Sequence, residues 1–432
     1  MILRDATMGQ DPAGNGTDRA IRRTQAGPPG FARPGGPGRP QLTLAGPESP
    51  PPPPAGPPRR RRGLSSLAWL AVVPAGLIAV AVIVHANQAV RATPAARPAL
   101  VVASVPYWQI SQGTTAVLAH RRDVTEFSPW MYGLNGDGQI VLDAGNKRSA
   151  ITADLSRLRA QGLPIVPTLA NVDARGDWSY GPVARMLHDP ALAARQVAQI
   201  VALAGAHDYA GIDLDYEDLQ AGDRQAFTAF VTRLASALHA RGKVLSVALF
   251  AKTTNAGYAP RNVAQDYAAI GRVADQVRLM TYDYHWPTSA PGPVAPIGWV
   301  RDVIRYAETQ MPASKIVLGI PQYGYNWTDH HGVAITWQQA VQLSRRYHAQ
   351  PRYSAASQAP WFTYTDAAGR EHTVWYENAA SSRAKLEAAH AAGLGGVYLW
   401  MYGTGDPGTW PALRQVFPVG ARTAPSPRRG AS

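Results

Sequence analysis

The sequence predicts an α/β chain whose folded part is a (β/α)8 TIM barrel with a small α+β insertion between strands seven and eight. Three observations lead there. Eight short apolar runs alternate with helix-length stretches of Ala, Leu and Arg over about 320 residues, the pattern of parallel strands joined by crossover helices. One run carries carboxylates at every second position, a pattern suited to a strand that opens into a polar mouth. The surplus over the ~250 residues usual for a barrel falls in a single place, residues 323–380.

Before the barrel, residues 1–62 form an arm of Pro-Gly clusters ending in Ser49-Pro50-Pro51-Pro52-Pro53-Pro54. It has no apolar periodicity and so no face to bury, which predicts a disordered, partly polyproline-II segment. Residues 63–90 follow, with the uncharged apolar run Leu67–Val84 preceded by Arg59-Arg60-Arg61-Arg62. Eighteen residues at 1.5 Å rise span roughly 27 Å, close to a bilayer's hydrocarbon core, so a transmembrane signal-anchor helix is expected. The arginines place the N-terminus in the cytoplasm and the remainder outside, with a secreted form conceivable through cleavage near Ala86 or Ala89. Residues 91–98 read as a linker, 99–418 as the barrel with its insertion and 419–432 as a flexible tail.

The expected barrel strands are Leu100–Val105, Val124–Trp130, Pro164–Leu169, Gly211–Tyr216, Val244–Leu249, Gln276–Thr281, Lys315–Ile320 and Gly395–Trp400. Expected helices include Ser149–Ala160, Pro190–Ala206, Asp223–Arg241, Asn262–Val273 and Val300–Gln310. The insertion should hold a helix over Thr336–Tyr347 and short strands near Phe362–Thr365 and Thr373–Tyr376.

Charge narrows the choice of partner. The chain has 42 Lys and Arg against 29 Asp and Glu, a formal +13, yet residues 99–420 keep only +2 of it. The excess lies in the arm, linker and tail, where membrane topology explains it, and no nucleic-acid partner is needed. With Cys 0, disulfides, thiolate metal sites and cysteine nucleophiles are excluded.

The fourth strand, Gly211-Ile212-Asp213-Leu214-Asp215-Tyr216-Glu217, aims Asp213, Asp215 and Glu217 one way and Ile212, Leu214 and Tyr216 the other. Three carboxylates in one row repel one another, which argues for chemistry over packing. They fit either an oxygen-ligand metal site of the DxD type, as in a metal-dependent glycosyltransferase, or an acid relay with Glu217 kept protonated by Asp215. The absence of a Gly-rich phosphate loop favours the relay.

This strand resembles the DGxDxDxE signature of glycoside hydrolase family 18, departing from it at Ala210. Met280-Thr281-Tyr282-Asp283-Tyr284-His285, Lys315 to Tyr325 and Gly395 to Trp400 resemble that family's sixth, seventh and eighth strands. Val105-Pro106-Tyr107-Trp108, Val374-Trp375-Tyr376-Glu377 and Ser381 to Lys385 are most similar to its bacterial cell-wall and spore-cortex branch. The third strand, Pro164 to Asn171, lacks the SxGG of chitinases, which favours a relative acting on peptidoglycan or another N-acetylglucosamine glycan.

The resemblance implies substrate-assisted retaining hydrolysis of β-linked N-acetylglucosamine glycans without a cofactor or metal. Glu217 would be the acid, Asp215 would orient the substrate acetamide, and Asp213 would share a proton with Asp215. Tyr282 would bond the acetamide oxygen, Asp283 would steady that region, and Trp400 would floor the −1 sugar. Tyr107, Trp108, Trp130, Tyr284, His285, Trp286 and Tyr323 are expected to touch substrate, with Tyr132, Trp327 and Trp361 as further rim aromatics. A non-catalytic glycan-binding barrel is the alternative. His330-His331 reads as a solvated turn and His207 as a helix-end residue.

Overall fold

The structure, a computed structural model, describes residues 99–142, 147–173, 176–255, 259–329 and 331–417. The expected arm, the anchor Leu67–Val84, the linker and the tail lie outside these residues. Among the described residues no helix is long and apolar enough to cross a membrane.

The strands in chain order are β1 (Leu100–Pro106), β2 (Glu126–Leu134), β3 (Ile140–Leu142), β4 (Thr168–Ala170), β5 (Gly211–Asp215), β6 (Val244–Phe250) and β7 (Gln276–Met280). They continue as β8 (Ile316–Pro321), β9 (Tyr323–Thr328), β10 (His331–Thr336), β11 (Arg352–Ser354), β12 (Ala359–Thr365), β13 (Glu371–Tyr376) and β14 (Gly396–Trp400). Eight of them pair in the ring order β1, β14, β8, β7, β6, β5, β4, β2, and parallel pairing of β1 with β2 from Val102↔Glu126 to Pro106↔Trp130 closes it. β3 adds antiparallel to the far end of β2. Closure leaves no barrel edge and sends every strand's C-terminal end to one mouth.

Parallel strands are covered on both faces, so their outward residues must meet helices. Ile212, Leu214 and Tyr216 do so, fully buried in the same cluster as Phe227, Phe230 and Leu234 of the helix Arg224–His239. Asp189 caps the helix Pro190–Ala206 by accepting from the amides of Ala191 and Leu192.

One expected helix is broken. Residues 262–273 fold as the end of Pro260–Ala264 and as Tyr267–Val273, because Gln265 turns extended and Asp266 caps the second piece by accepting from Ala269. Burial of Gln265 rewards the break: its amide accepts from Phe250 N at 2.7 Å and donates to Tyr216 O at 3.3 Å, satisfying backbone at the ends of two barrel strands.

The insertion is larger in sheet content than expected. It is a five-stranded antiparallel sheet in the order β10, β9, β13, β12, β11 against the helix Trp337–Arg346, with its own core of Ile335, Ala340, Phe362, Tyr364, Val374 and Tyr376. β9 opens the insertion, as its expected start at residue 323 requires. The chain leaves the barrel at Gln322, whose backbone N–H donates to Trp400 O at 2.6 Å.

Candidate active site

β5 carries Asp213 and Asp215 into the barrel, both buried, and Glu217 lies just past its end on the floor of a cleft. Beneath them sits Arg278 of β7, only 1% exposed. Its guanidinium lies 3.1 Å from Asp213, donates to Ser128 Oγ at 2.6 Å and pairs with Glu126. Thr168 donates to Asp213 at 2.8 Å, and the Trp130 indole donates to Asp215 at 3.2 Å. Asp213 and Asp215 each keep one buried oxygen without a hydrogen-bond partner among the described residues.

These surroundings separate the acids. Burial, and then the charge of Asp213, push Asp215 up to about 7 against the pull of Trp130 and Arg278. Burial, and then the charge of Asp215, hold Glu217 well above the usual carboxylate range, with Arg261 opposing. Both effects favour the protonated form of Glu217, the form a proton donor needs. Arg278 also weighs against the metal reading, since a cation already lies against Asp213.

Strand pairing between β4 and β5 ends at Ala170↔Asp215. Beyond it the side chain of Asn171 takes over, accepting from Glu217 N at 2.7 Å and donating to Glu217 O at 2.9 Å. The acid's backbone is thus fixed although it lies outside the sheet.

Tyr282 and Asp283 follow β7. Tyr398 of β14 donates its hydroxyl hydrogen to Tyr282 at 3.0 Å, which leaves the Tyr282 O–H to point elsewhere, and burial keeps both phenols neutral. Asp283 takes the left-handed conformation, φ 54°, and accepts from Tyr323 at 2.6 Å and Tyr325 at 2.8 Å on one oxygen. The cleft holds about 390 Å³, enough for a sugar-sized ligand, and Trp108, Trp130, Trp178, Trp286 and Trp400 line it.

The fold brings together Asp213, Asp215, Glu217, Tyr282, Asp283, Trp108, Trp130, Trp286 and Trp400. Four expected substrate contacts are absent from the lining. Tyr107 packs edge-on against Trp108 at 5.0 Å. Tyr284 packs on Trp299, and His285 lies 2.9 Å from the Ala290 carbonyl. Tyr323 is fully buried behind Asp283, a support for that acid in place of a sugar contact. Of the further aromatics, Tyr132 is buried and bonds Tyr209, Trp327 is buried, and Trp361 stacks on Trp375. His207 ends its helix and stacks on Tyr209, His331 begins β10, and His330 lies outside the described residues.

Sequence reasoning missed Asn171, Arg278, Arg261, Trp178 and Tyr398. Arg278 alone left a signal: an arginine at an inward position of an apolar strand needs a buried acid.

The family model described as Glycosyl hydrolases family 18 matches residues 131–405, which include Asp213, Asp215, Glu217 and Asp283. The chain belongs to glycosyl hydrolases family 18. Within this family-18 chain, 244 residues are 37% identical to the cortical fragment-lytic enzyme of Bacillus subtilis (strain 168), covering 55% of this chain and 57% of that protein. The chain thus spans less than two thirds of that relative's length. A chitinase of Chromobacterium violaceum ATCC 12472 superposes with TM-score 0.68 at 33% identity, over 74% of this chain and 98% of that one. The spore cortex-lytic enzyme SleL of Bacillus megaterium QM B1551 gives TM-score 0.66 at 28% identity, over 75% of each chain.

Proposed function

We propose that this chain hydrolyses β-linked N-acetylglucosamine glycans, peptidoglycan above all, by substrate-assisted retaining catalysis. The observation that carries the reading is the placing of Glu217 beside Asp215 in a tryptophan-lined cleft, where burial and the Asp215 charge favour its protonated form. Glu217 gives its proton to the glycosidic oxygen. The acetamido oxygen of the −1 sugar attacks C1 as the C1–O bond breaks, forming an oxazolinium ion and releasing the leaving sugar. Water then attacks C1, giving its proton to the Glu217 carboxylate, and the configuration is retained.

Asp215 turns to the acetamide N–H and stabilises the positive charge, while Asp213, held by Thr168 and Arg278, accommodates the displaced proton. Tyr282 donates to the acetamide oxygen, Asp283 is steadied by Tyr323 and Tyr325, and Trp400 floors the sugar. Kinship with cortex-lytic enzymes supports a peptidoglycan substrate. The run Leu67–Val84 behind four arginines supports a single-pass anchor that holds the barrel on the outer side of the cytoplasmic membrane.

The test is digestion of purified peptidoglycan and chitooligosaccharides side by side, with products weighed by mass spectrometry. Wild-type protein releases reducing ends, and Glu217→Gln folds normally with turnover lowered at least ~1000-fold. Sugar binding without release of reducing ends by the wild type would establish a binding barrel instead. Protease protection of the barrel in spheroplasts, with the anchor intact, would overturn the topology.

A further inference from the structure

Five carboxylates line the cleft: Asp213, Asp215, Glu217, Asp218 and Asp283. Against them stand two cations. Arg278 is sealed in the barrel, whereas Arg261 has 48% of its side chain exposed at the rim. An uncharged chitin chain offers an arginine no charge to meet. Arg261 nevertheless sits in a prepared place: its guanidinium lies over the Phe250 ring at 4.5 Å, which fixes the stem, and 3.6 Å from Asp218, beyond hydrogen-bond length.

Its position around the mouth tells which sugar it faces. Trp400 ends β14 and Trp130 lies on β2, the two neighbours of β1 in the ring. Phe250 ends β6, which stands opposite β1, four strands away in either direction. Glu217, past the end of β5, therefore lies between the aromatic floor and Arg261. A general acid works at the oxygen joining two sugars, so the sugar beyond it from Trp400 is the leaving one.

We infer that Arg261 binds a carboxylate on the leaving-group sugar, so that the cleft selects an N-acetyl amino-sugar polymer with a free acid-bearing ether on alternate residues, as in peptidoglycan strands freed of their stem peptides, over uncharged chitin. This rests on the orientation of substrate given under the proposed function. Guanidinium and carboxylate match geometrically, and the loose pairing with Asp218 yields to a better-placed anion.

The test measures binding, so it does not depend on turnover. In the Glu217→Gln background, the affinity for N-acetylglucosaminyl-β-1,4-N-acetylmuramic acid is compared with that for its methyl ester, which lacks the negative charge. The free acid binds about tenfold tighter. Adding Arg261→Met abolishes the preference, Arg261→Lys keeps part of it, and rising salt weakens it. Equal affinities for acid and ester in the parent, or a preference that survives Arg261→Met, overturns the inference. So does a shift in the pH profile of Arg261→Met hydrolysis with acid and ester still bound equally in the parent, since Arg261 would then act on Glu217 alone. Failure of the wild type to cleave any glycan would count against the proposed function, and the acid-to-ester ratio would still decide the role of Arg261.

Discussion

Asn171 holds Glu217 by both of its backbone polar groups, accepting from the amide at 2.7 Å and donating to the carbonyl at 2.9 Å. The side-chain amide thereby imitates one more residue of parallel pairing where β4 has already ended, and it does so at the residue that the proposed mechanism uses as proton donor.

Replacing Asn171 with Ala removes both bonds. Stability falls by about 1–3 kcal/mol, the range for unpairing buried polar groups. The rate falls about 10–100-fold with KM little changed, because a misplaced acid still leaves the sugar platform intact. Denaturant titration and steady-state kinetics on a peptidoglycan fragment check both, and a KM effect alone would contradict the positioning role.

Tyr282→Phe removes the hydroxyl that the proposed mechanism aims at the acetamide oxygen while keeping the ring. The expected loss is about 10²–10³ in kcat, the usual size for one preorganised donor to a developing charge. Tyr398→Phe, one hydrogen bond further from the sugar, should cost less. The order of the two effects is the measurement that matters.

The pH dependence follows from signs. Asp215 has a folded-state pKa raised to about 7 from 3.8, so the folded state binds its proton more tightly than the unfolded state. Stability therefore declines as pH rises between these values, by roughly 1.4 kcal/mol per unit at most from this group, and levels off above. Asp215→Asn removes that decline. Its melting temperature should exceed the wild type's at pH 8 and approach it at pH 4, while hydrolysis falls sharply. Activity should be lost on the alkaline side, as Glu217 gives up its proton.

Lys385 and Glu377 form a buried ion pair at 2.7 Å, neither more than 1% exposed, that ties the exit of β13 to the helix Ala379–Ala391. Lys385→Met strands a buried carboxylate and should destabilise the fold by about 3–5 kcal/mol. Adding Glu377→Gln should restore much of this. Neither residue lines the cleft, so KM of the folded enzyme stays at the wild-type value.

The sequence by itself determined the barrel, because a parallel strand buried on both faces leaves a continuous apolar run, and each of the eight expected strands overlaps an observed one. It also determined the acidic row, since two-residue periodicity follows from backbone geometry alone. Tertiary structure decided the rest. Asn171 and Glu217 are 46 residues apart, and Arg278 and Glu126 are 152 apart, so only the closing of the ring makes them neighbours. Burial decided which aromatics face the cleft: Tyr282 and Tyr323 read alike as tyrosines at strand ends, yet one opens onto the cleft and the other is sealed behind Asp283. The raised proton affinity of Glu217 belongs to the same class, for desolvation and a neighbouring charge arise only once the chain has folded around them.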